Sequence, residues 1–386
     1  MKPSKQCTAL HTRRSPLRSA LCRVLLTDKT SFLSHWSEHF QTLFSADRVI
    51  QDSAILHIRR LPANVELDEP PFMEELTKAT EPLKSRKAAG VDGIPPEIWK
   101  YGGPALHSKL HELLVYCWEQ SKLPRDFRDA VIVTLYKNKG EKSDCSNYRG
   151  ITLLSIAGKI LAHVLMNRLI PAIAEDHLPE TQCGFTANRG TIDMVFVLTQ
   201  LQEKCREQNK ELYVTFVDRT KAFDTVSRKR LWLILERLGC LPKFFSMITL
   251  LHEYQSGRVT LNGNLSEPFP ITNDVQQGCV LAPTLFSIFF SMMIRQASEN
   301  LDDHEAVCIR YSLDGSLFNL RRMQAHTKTF EQLIRDLLFA NDAALVAHSK
   351  SALQCLTSSF EEAAQLFGLE VSLKKTKVLH QPAPRE

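Results

Sequence analysis

Apolar residues recur about every three to four positions in several stretches of the chain, which is the spacing of one helix face. The first stretch predicts a helix after Asp28, ahead of a polar, proline-containing link from Arg60 to Pro71. Its apolar positions are Phe32, Trp36, Phe40, Leu43 and Phe44. Further helices are predicted over Ala105–Glu119, Ile156–Leu169 and Leu231–Leu238.

Short runs of apolar and β-branched residues alternate with these helices and predict strands. They lie at Ala130–Tyr136, Leu212–Val217, Asp336–Ala340 and Ala343–His348. The last two runs flank Asn341 and Asp342 and therefore predict a tight β-hairpin with these two residues at its tip. Because helices and strands are interspersed without an internal repeat, the expected fold class is α+β.

The composition is that of a globular protein. Of 386 residues 44% are apolar, which is enough for a large core, and 15 Gly with 18 Pro are too few for a collagen-like or low-complexity chain. The formal net charge of +5 permits a polyanionic partner without demonstrating one. Residues 1–27 carry six basic residues and no acid; a transit peptide or phosphate-contacting arm has this composition, and an unstructured leader is the simpler interpretation.

Cysteines and histidines form no recognisable zinc motif. The ten cysteines are scattered, so we expect free thiols in a reducing compartment, nuclear or cytoplasmic rather than secreted. The pairs His35/His39 and His107/His111 lack the Glu of an H-E-x-x-H site and are expected to be structural. The run Cys279–Ile294 is shorter than the roughly 20 residues of a membrane span, so we expect a buried helix and no membrane segment.

Two acidic positions lie at the ends of predicted strands. Asp218 directly follows Leu212–Val217, and an acid at a strand end can point into a cleft while the strand stays buried. Capping of a turn is the alternative there, and Asn341 and Asp342 are also residue types that turns favour for backbone reasons. Because the hairpin arms are apolar, we expect a buried tip, where a bare carboxylate is costly without a metal ion. Two buried acidic sites therefore favour shared cations.

A glycine-containing loop lies between these acids in the sequence. Gln277 and Gly278 precede a helix with Pro283 near its first turn. Such a loop allows a flat ligand to approach the backbone, and Gln277 offers both a donor and an acceptor. Taken alone, it is equally a loop and a helix cap.

The order and spacing of seven short segments resemble the reverse transcriptase domain of non-LTR (LINE-type) retrotransposons. The resemblance runs from about Thr27 to the end of the chain. The segments are Lys87–Pro95, Asn147–Ser155, Gln182–Phe185 with Thr191–Asp193, Asp218–Val226, Gln277–Phe286, Phe339–Asp342 and Gly368–Lys377. The last four resemble palm motifs A to D, and seven motifs in this order exclude an unrelated α+β enzyme.

The resemblance implies a right-hand polymerase fold with fingers and an antiparallel palm sheet. Residues 1–27 would then be a leader, 28–70 an N-terminal helical extension and linker, 71–210 a fingers-like region and 211–386 the palm. The thumb is expected to be absent, because the chain ends before the family's primer-grip hairpin.

The resemblance also implies a nucleotidyltransferase that carries out RNA-directed DNA synthesis. Its partners would be an RNA template, a DNA primer and deoxynucleoside triphosphates (dNTP). Its cofactor would be Mg²⁺, with Mn²⁺ as a substitute, because nucleotidyl transfer uses two divalent ions held by carboxylates. The implied metal ligands are Asp218 and Asp342, and the implied catalytic set adds Asn341 and Lys375.

The implied nucleotide-binding residues are Arg149, Phe223, Gln277 and Gly278. Phe223 matches the aromatic side chain that would crowd a ribose 2′-hydroxyl and favour deoxynucleotides; a packing role is its alternative. Arg149 and Lys375 would steady phosphate charge, and Lys375 would protonate the leaving pyrophosphate. Both are equally compatible with solvated surface charges.

Asn341 departs from the family pattern, because the family has the first of two consecutive acids at this position. Losing one anionic ligand from a two-metal site costs about 3–5 kcal/mol in the transition state. Asp342 is expected to be a poor substitute, because adjacent residues of a strand face opposite ways. We therefore expect catalysis to be impaired by Asn341 and by the truncation before the thumb. The alternative is a non-catalytic protein, derived from a reverse transcriptase, that binds RNA or an RNA/DNA hybrid.

Overall fold

The computed structural model describes residues 29–44, 55–174, 178–218, 226–261, 263–272, 278–299, 301–302, 305–312, 329–372 and 374–384. The predicted leader over residues 1–27 lies outside these ranges. Helices and strands are interspersed along the described chain, which confirms the expected α+β class.

The α-helices are α1 (Lys29–Phe44), α2 (Met73–Thr80), α3 (Pro96–Tyr101), α4 (Gly103–Gln120), α5 (Ile156–Leu169), α6 (Thr191–Glu207), α7 (Arg228–Arg237), α8 (Pro242–Leu250), α9 (Ala282–Ser298) and α10 (Lys350–Leu366). The strands are β1 (Ala130–Tyr136), β2 (Tyr148–Leu153), β3 (Leu212–Val217), β4 (Gln255–Leu261), β5 (Asn264–Leu265), β6 (Phe269–Ile271), β7 (Val307–Ser312), β8 (Thr329–Ile334), β9 (Asp336–Phe339), β10 (Asp342–Ala347) and β11 (Lys377–Gln381). The predicted helices α1, α4, α5 and α7 and the predicted strands β1, β3, β9 and β10 are confirmed.

One sheet contains four antiparallel strands in the order β11-β3-β10-β9. Alternate residues of β10 enter different hydrophobic clusters, Ala343 and Leu345 on one face and Ala344 and Val346 on the other. A strand that reads as a continuous apolar run is expected when both faces of its sheet are covered. Strand β10, in the interior of the four-stranded sheet, is therefore buried on both faces, whereas the edge strand β11 is largely exposed.

Helices α9 and α10 pack against each other in the larger of these two clusters, the one that contains Ala343 and Leu345. Phe289 of α9 meets Phe367 edge to face at 5.4 Å, and Phe290 meets Phe360 of α10 at 6.5 Å. Thirteen of the 17 residues of α9 are buried, which confirms the buried helix predicted within Cys279–Ile294. One described segment, Ile156–Ile173, has the length and hydropathy to cross a membrane, and 61% of it is buried inside the structure.

The second sheet has strand order β2-β1-β4-β5, with β6 also paired to β4. The β1–β4 pair is parallel and the other pairs are antiparallel. Helix α1 covers one face and packs Trp36, Phe40 and Phe44 against a small cluster. The partners in that cluster are Ile132, Cys145, Val259, Phe269 and Ile271. Strands β4–β6 follow residue 210 in the sequence yet share a sheet with β1 and β2.

The link from Arg60 to Pro71 packs on the larger cluster through Leu67, which is 2% exposed. The buried guanidinium of Arg168 holds this link, donating to the carbonyls of Leu67 and Pro70 at 3.3 and 3.0 Å. It also donates twice to the Glu75 carboxylate at 2.6 Å. A buried cation with this many acceptors is a satisfied structural group.

The histidines at 107 and 111 use their rings to bind backbone. Nε2 of His107 lies 2.7 Å from the Trp99 carbonyl, and Nε2 of His111 lies 2.8 Å from the Pro71 carbonyl. His39 contacts the ring of Trp36 edge to face. These contacts agree with the expected structural role. Eight of the ten cysteines lie in the described chain as free thiols.

Candidate active site

Asp218 is the first residue after β3, as the strand pattern predicted. Its backbone carbonyl accepts a hydrogen bond of 3.0 Å from the Ser372 amide, which attaches the segment before β11 to this point. Its Oδ1 lies 3.1 Å from Nζ of Lys375. Both side chains are about half exposed, so the pair faces solvent at the end of the sheet. The structure therefore brings together two residues of the predicted catalytic set.

The predicted hairpin is present between β9 and β10. The predicted tip of Asn341 and Asp342 is wrong by one residue: Asp342 already pairs with Phe339 as part of β10, so Ala340 and Asn341 form the turn. Ala340 adopts the left-handed conformation with φ of 55°. The predicted burial of the tip is wrong. The arms are buried, but Asn341 is only half-buried and Asp342 is exposed, because the turn lies where the sheet ends.

The strand register brings the two acids to the same end of the sheet. Ala343 pairs with Val217, and Asp342 and Asp218 are the next residues beyond that pair. Directly opposite residues of an antiparallel pair project from the same face of a sheet. Continued by one residue, the register would set Asp342 opposite Asp218; that Asp342 is a poor substitute for an acid at position 341 stays a prediction.

The predicted nucleotide-binding residues fall into two groups. Phe223 and Gln277 lie outside the described residues. Arg149 is exposed on β2, paired with Leu135. Gly278 has φ of 121°, and a Cβ there would overlap the Thr152 carbonyl of β2. Only glycine is suited to that position, so Gly278 has a packing reason as well as its predicted role.

One set of contacts at the turn had no role assigned from sequence. Gln182 is 2% exposed and makes hydrogen bonds to both backbone polar groups of Ala340. These residues are 158 positions apart, so no local pattern indicates their contact. In the sequence, only the position of Gln182 in the segment Gln182–Phe185, which resembles a family motif, pointed to this residue.

The oxygen donors at the turn match the preference of Mg²⁺. Asp218 and Asp342 supply carboxylates and Asn341 an amide oxygen, and Mg²⁺ binds one or two carboxylates together with water and phosphate oxygens. Among the described residues, no group of three or more His, Cys, Asp or Glu could hold a metal ion. Two carboxylates fit one ion of this kind, whereas a pair of ions needs further anionic ligands.

Residues 137–385 match the family described as "Reverse transcriptase (RNA-dependent DNA polymerase)". This range contains the turn, Asp218 and Lys375. It also contains every strand of both sheets except β1, which ends one residue before the match begins.

Several proteins of mobile elements are similar to the chain. The "Transposon TX1 uncharacterized 149 kDa protein" of Xenopus laevis is 28% identical over 68% of the chain and 20% of its own length. The "RNA-directed DNA polymerase from mobile element jockey" of Drosophila melanogaster is 29% identical over 48% of the chain and 20% of its own length. The "Retrovirus-related Pol polyprotein from type-1 retrotransposable element R2" of Nasonia vitripennis is 25% identical over 80% of the chain.

The chain spans about a fifth to a quarter of the length of these relatives. The family match covers more than half of the chain and includes the turn that carries Asn341 and Asp342. The chain belongs to the reverse transcriptase (RNA-dependent DNA polymerase) family, in the form carried by LINE-type non-LTR retrotransposons.

Proposed function

We propose that the chain is the nucleotidyl-transfer part of an RNA-directed DNA polymerase, with the four-stranded sheet as palm and the five-stranded sheet as fingers. The observation that carries the proposal is the register of β3 and β10. Continued one residue past the Ala343–Val217 pair, this register would set Asp342 opposite Asp218 at one end of an antiparallel sheet, and Lys375 contacts the Asp218 carboxylate at the same end.

The proposed substrates are an RNA template, a DNA primer and dNTP, with Mg²⁺ or Mn²⁺ as the ion. Bound at this turn, the ion would supply the positive charge that lowers the barrier to attack by the primer 3′-hydroxyl. Asp218 and Asp342 would hold the ion. Lys375 lies close enough to the same carboxylate to offset phosphate charge that arrives there.

Asn341 lowers the negative charge of this site. Its amide oxygen can contact a divalent ion but carries no charge, so the transition state loses about 3–5 kcal/mol relative to a carboxylate. This corresponds to roughly a hundred- to several-thousand-fold in rate. We therefore propose that the chain polymerises slowly and that the remaining carboxylates provide the residual rate.

The five-stranded sheet would carry the nucleotide and template side of the site. Arg149 is exposed on β2, and Gly278 packs its backbone against Thr152 of the same strand. The segment of Gly278 therefore lies beside a strand that carries an exposed arginine, which suits a polyanionic ligand. Phe223 and Gln277 keep their proposed roles as steric gate and nucleotide contact.

Primer extension on an RNA template tests the proposal. The chain is compared with Asn341→Asp and with Asn341→Leu, which is similar in size but offers no oxygen. We expect Asn341→Asp to raise the rate about a hundred-fold or more and Asn341→Leu to lower it. Equal rates for all three folded proteins in both Mg²⁺ and Mn²⁺ would overturn the proposed catalytic role of the turn.

A non-catalytic role in binding RNA or an RNA/DNA hybrid is the second candidate. Asn341 favours it, since binding does not need the missing charge. In filter binding across salt concentrations, this function predicts affinity that falls as salt rises and is equal for the chain and Asn341→Asp. Absence of salt-dependent RNA binding would remove this candidate.

A further inference from the structure

Strand β9 lies at the edge of the four-stranded sheet, and a short segment covers it. Gln182 forms a parallel bridge with Leu338. The Leu338 amide donates to the Thr181 carbonyl at 3.0 Å, and the Cys183 amide donates to the Leu338 carbonyl at 2.9 Å. The segment Thr181–Gly184 therefore forms hydrogen bonds with part of the open edge of β9. Strand β9 leads into the turn at its C-terminal end.

The side chain of Gln182 fastens this segment to the turn itself. Its Oε1 accepts hydrogen bonds of 2.8 Å from the amides of both Ala340 and Gly184. Its Nε2 donates to the Ala340 carbonyl at 3.3 Å. Only an amide side chain offers an acceptor and a donor to one residue in this way, since a carboxylate lacks the donor and an apolar side chain lacks both.

Ala340 needs such support because of its conformation. It has φ of 55°, in the left-handed region that costs a residue with a Cβ about 1–3 kcal/mol. A residue keeps this conformation when contacts with the surrounding structure hold its backbone in place. Both backbone polar groups of Ala340 are held by Gln182, and the next residue is Asn341.

Two further contacts restrict the same turn. A Cβ at Gly184 would overlap the Ala340 nitrogen, so the two backbones touch and cannot move closer. The Thr181 hydroxyl donates to Oδ1 of Asp336 in β9 at 2.7 Å. The segment thus holds β9 at its beginning, its middle and the turn.

We propose that Gln182 is a positioning residue that fixes the left-handed turn at Ala340 and thereby the directions in which Asn341 and Asp342 present their oxygens to a divalent ion. The proposal rests on the proposed function in that it assumes the ion binds at this turn. Gln182 does not touch the ion. Replacing a residue that orients the ligands of a metal ion without touching the ion commonly changes metal affinity about 10- to 100-fold.

Mn²⁺ binding by the full chain, followed through the electron paramagnetic resonance signal of the free ion, tests this role without requiring activity. Gln182→Met keeps the length of the side chain and removes its hydrogen bonds. We expect it to weaken Mn²⁺ affinity at least about tenfold. The matched control is Gln381→Met, because Gln381 is also a buried glutamine, 6% exposed, on β11 at the other edge of the same sheet.

Gln381 donates to the Gln202 carbonyl at 2.8 Å, so its replacement also removes a buried hydrogen bond. We expect Gln381→Met to lower the melting temperature but to leave Mn²⁺ affinity within about twofold, because it does not act on the turn. Equal effects of the two variants on affinity would mean that Gln182 has only a structural role.

Rescue by Ala340→Gly gives the sharper readout. Glycine adopts positive φ without a steric penalty, so the double variant with Gln182→Met should regain at least about half of the lost affinity on a logarithmic scale. A purely structural role predicts no rescue. If Gln182→Met does not fold, Gln182→Asn carries the same predictions, because its amide is one methylene too short to reach Ala340.

The outcomes separate this proposal from the proposed function. If the unmodified chain shows no Mn²⁺ binding that Asp218→Asn abolishes, the ion site itself fails. If the chain binds Mn²⁺ in that way and the Gln182 variants bind it equally well, the positioning role alone is overturned.

Discussion

The interior strands of the four-stranded and five-stranded sheets differ in how the described residues cover them. Five of the six residues of β10 are buried, and its alternate residues enter two separate clusters. In the five-stranded sheet, β1, β2 and β4 each mix buried with half-buried or exposed positions. Within the described part of the chain, the hydrophobic cluster of this sheet lies on the face covered by α1.

The proposed ion site and the proposed nucleic-acid contact therefore lie on sheets that differ in burial. Asp218 and Asp342 lie at the end of the sheet whose interior strand β10 is buried on both faces, which suits a site that must hold its geometry. Arg149 is exposed on β2, so its charge can reach a large polyanion in solvent. Variants in each sheet test this division.

Removing Phe40 should have the largest effect on stability. Its ring is 1% exposed and stacks on Trp36 and Phe44, at 5.7 and 5.6 Å between ring centroids. Phe40→Ala should cost about 3–5 kcal/mol and release α1 from the five-stranded sheet. Hydrogen exchange should show lost protection in that sheet while the four-stranded sheet stays protected.

The matched variant for this comparison is Phe289→Ala in α9. Phe289 is fully buried in the larger cluster, so its removal should reduce protection in the four-stranded sheet as well. Equal loss of protection throughout the molecule after Phe40→Ala would show that the two sheets form one cooperative unit.

Gly184→Ala should have the next largest effect. The added Cβ would overlap the Ala340 nitrogen, so the turn must move, at about 1–3 kcal/mol or more. Gly190→Ala is the control, because the nearest atom to its added Cβ is 3.9 Å away. Urea unfolding should separate the variants, and similar midpoints for both would contradict the close packing at the turn.

Two aspartates should show opposite dependence of stability on pH. Desolvation raises the pKa of Asp336 in the four-stranded sheet above its usual 3.8. The protonated form is favoured in the folded state, so stability present at low pH is lost as pH rises through the raised pKa. Asp336→Asn cannot ionise and should be more stable than the chain at neutral pH, with the difference vanishing near pH 4.

Asp144, in the connection between β1 and β2, provides the contrast. Hydrogen bonds from the Ser146 side chain and amide lower its pKa below 3.8. Its stabilising contribution is therefore present above about pH 4 and is lost as pH falls through the lowered pKa. Asp144→Asn should be less stable than the chain at neutral pH. If Asp336→Asn and Asp144→Asn changed the free energy of unfolding at neutral pH in the same direction, the opposite pKa shifts of the two aspartates would be contradicted.

Removing Lys375 should have the smallest effect on stability. Its ion pair with Asp218 is half exposed, and exposed pairs contribute about 0–1 kcal/mol. Lys375→Ala should therefore change the free energy of unfolding by less than about 1 kcal/mol while slowing primer extension. A larger loss of stability would assign Lys375 a structural role instead.

The hydrophobic pattern predicted the elements that pack on the core. Helices α1 and α5, strand β3 and the β9–β10 hairpin follow from their spacing alone. Helix α6 gave a weaker pattern, because Ile192, Val195 and Phe196 are exposed. The short strands β5 and β6 contain polar residues and proline, which local patterns do not distinguish from loops.

The places of Asp218 and Asp342 at strand ends could be predicted from the sequence, but the geometry around them could not. The acids at 218 and 342 were identified by their places at strand ends. Their exposure was not, because a pattern of apolar arms does not show where a sheet stops. The placement of Asp218 and Asp342 at the same end of the sheet and the contact from Gln182 depend on register between distant segments, which no local sequence carries.

Cleavage of the chain by bound Fe²⁺ tests most directly whether the two acids share an ion. Fe²⁺ at a Mg²⁺ site generates hydroxyl radicals with ascorbate and peroxide, and these cut the backbone nearest the ion. The structure predicts cuts near both Asp218 and Asn341–Asp342 that Mg²⁺ suppresses and Asp218→Asn abolishes. Cuts at only one of these segments, or cuts unaffected by Asp218→Asn, would contradict a shared ion.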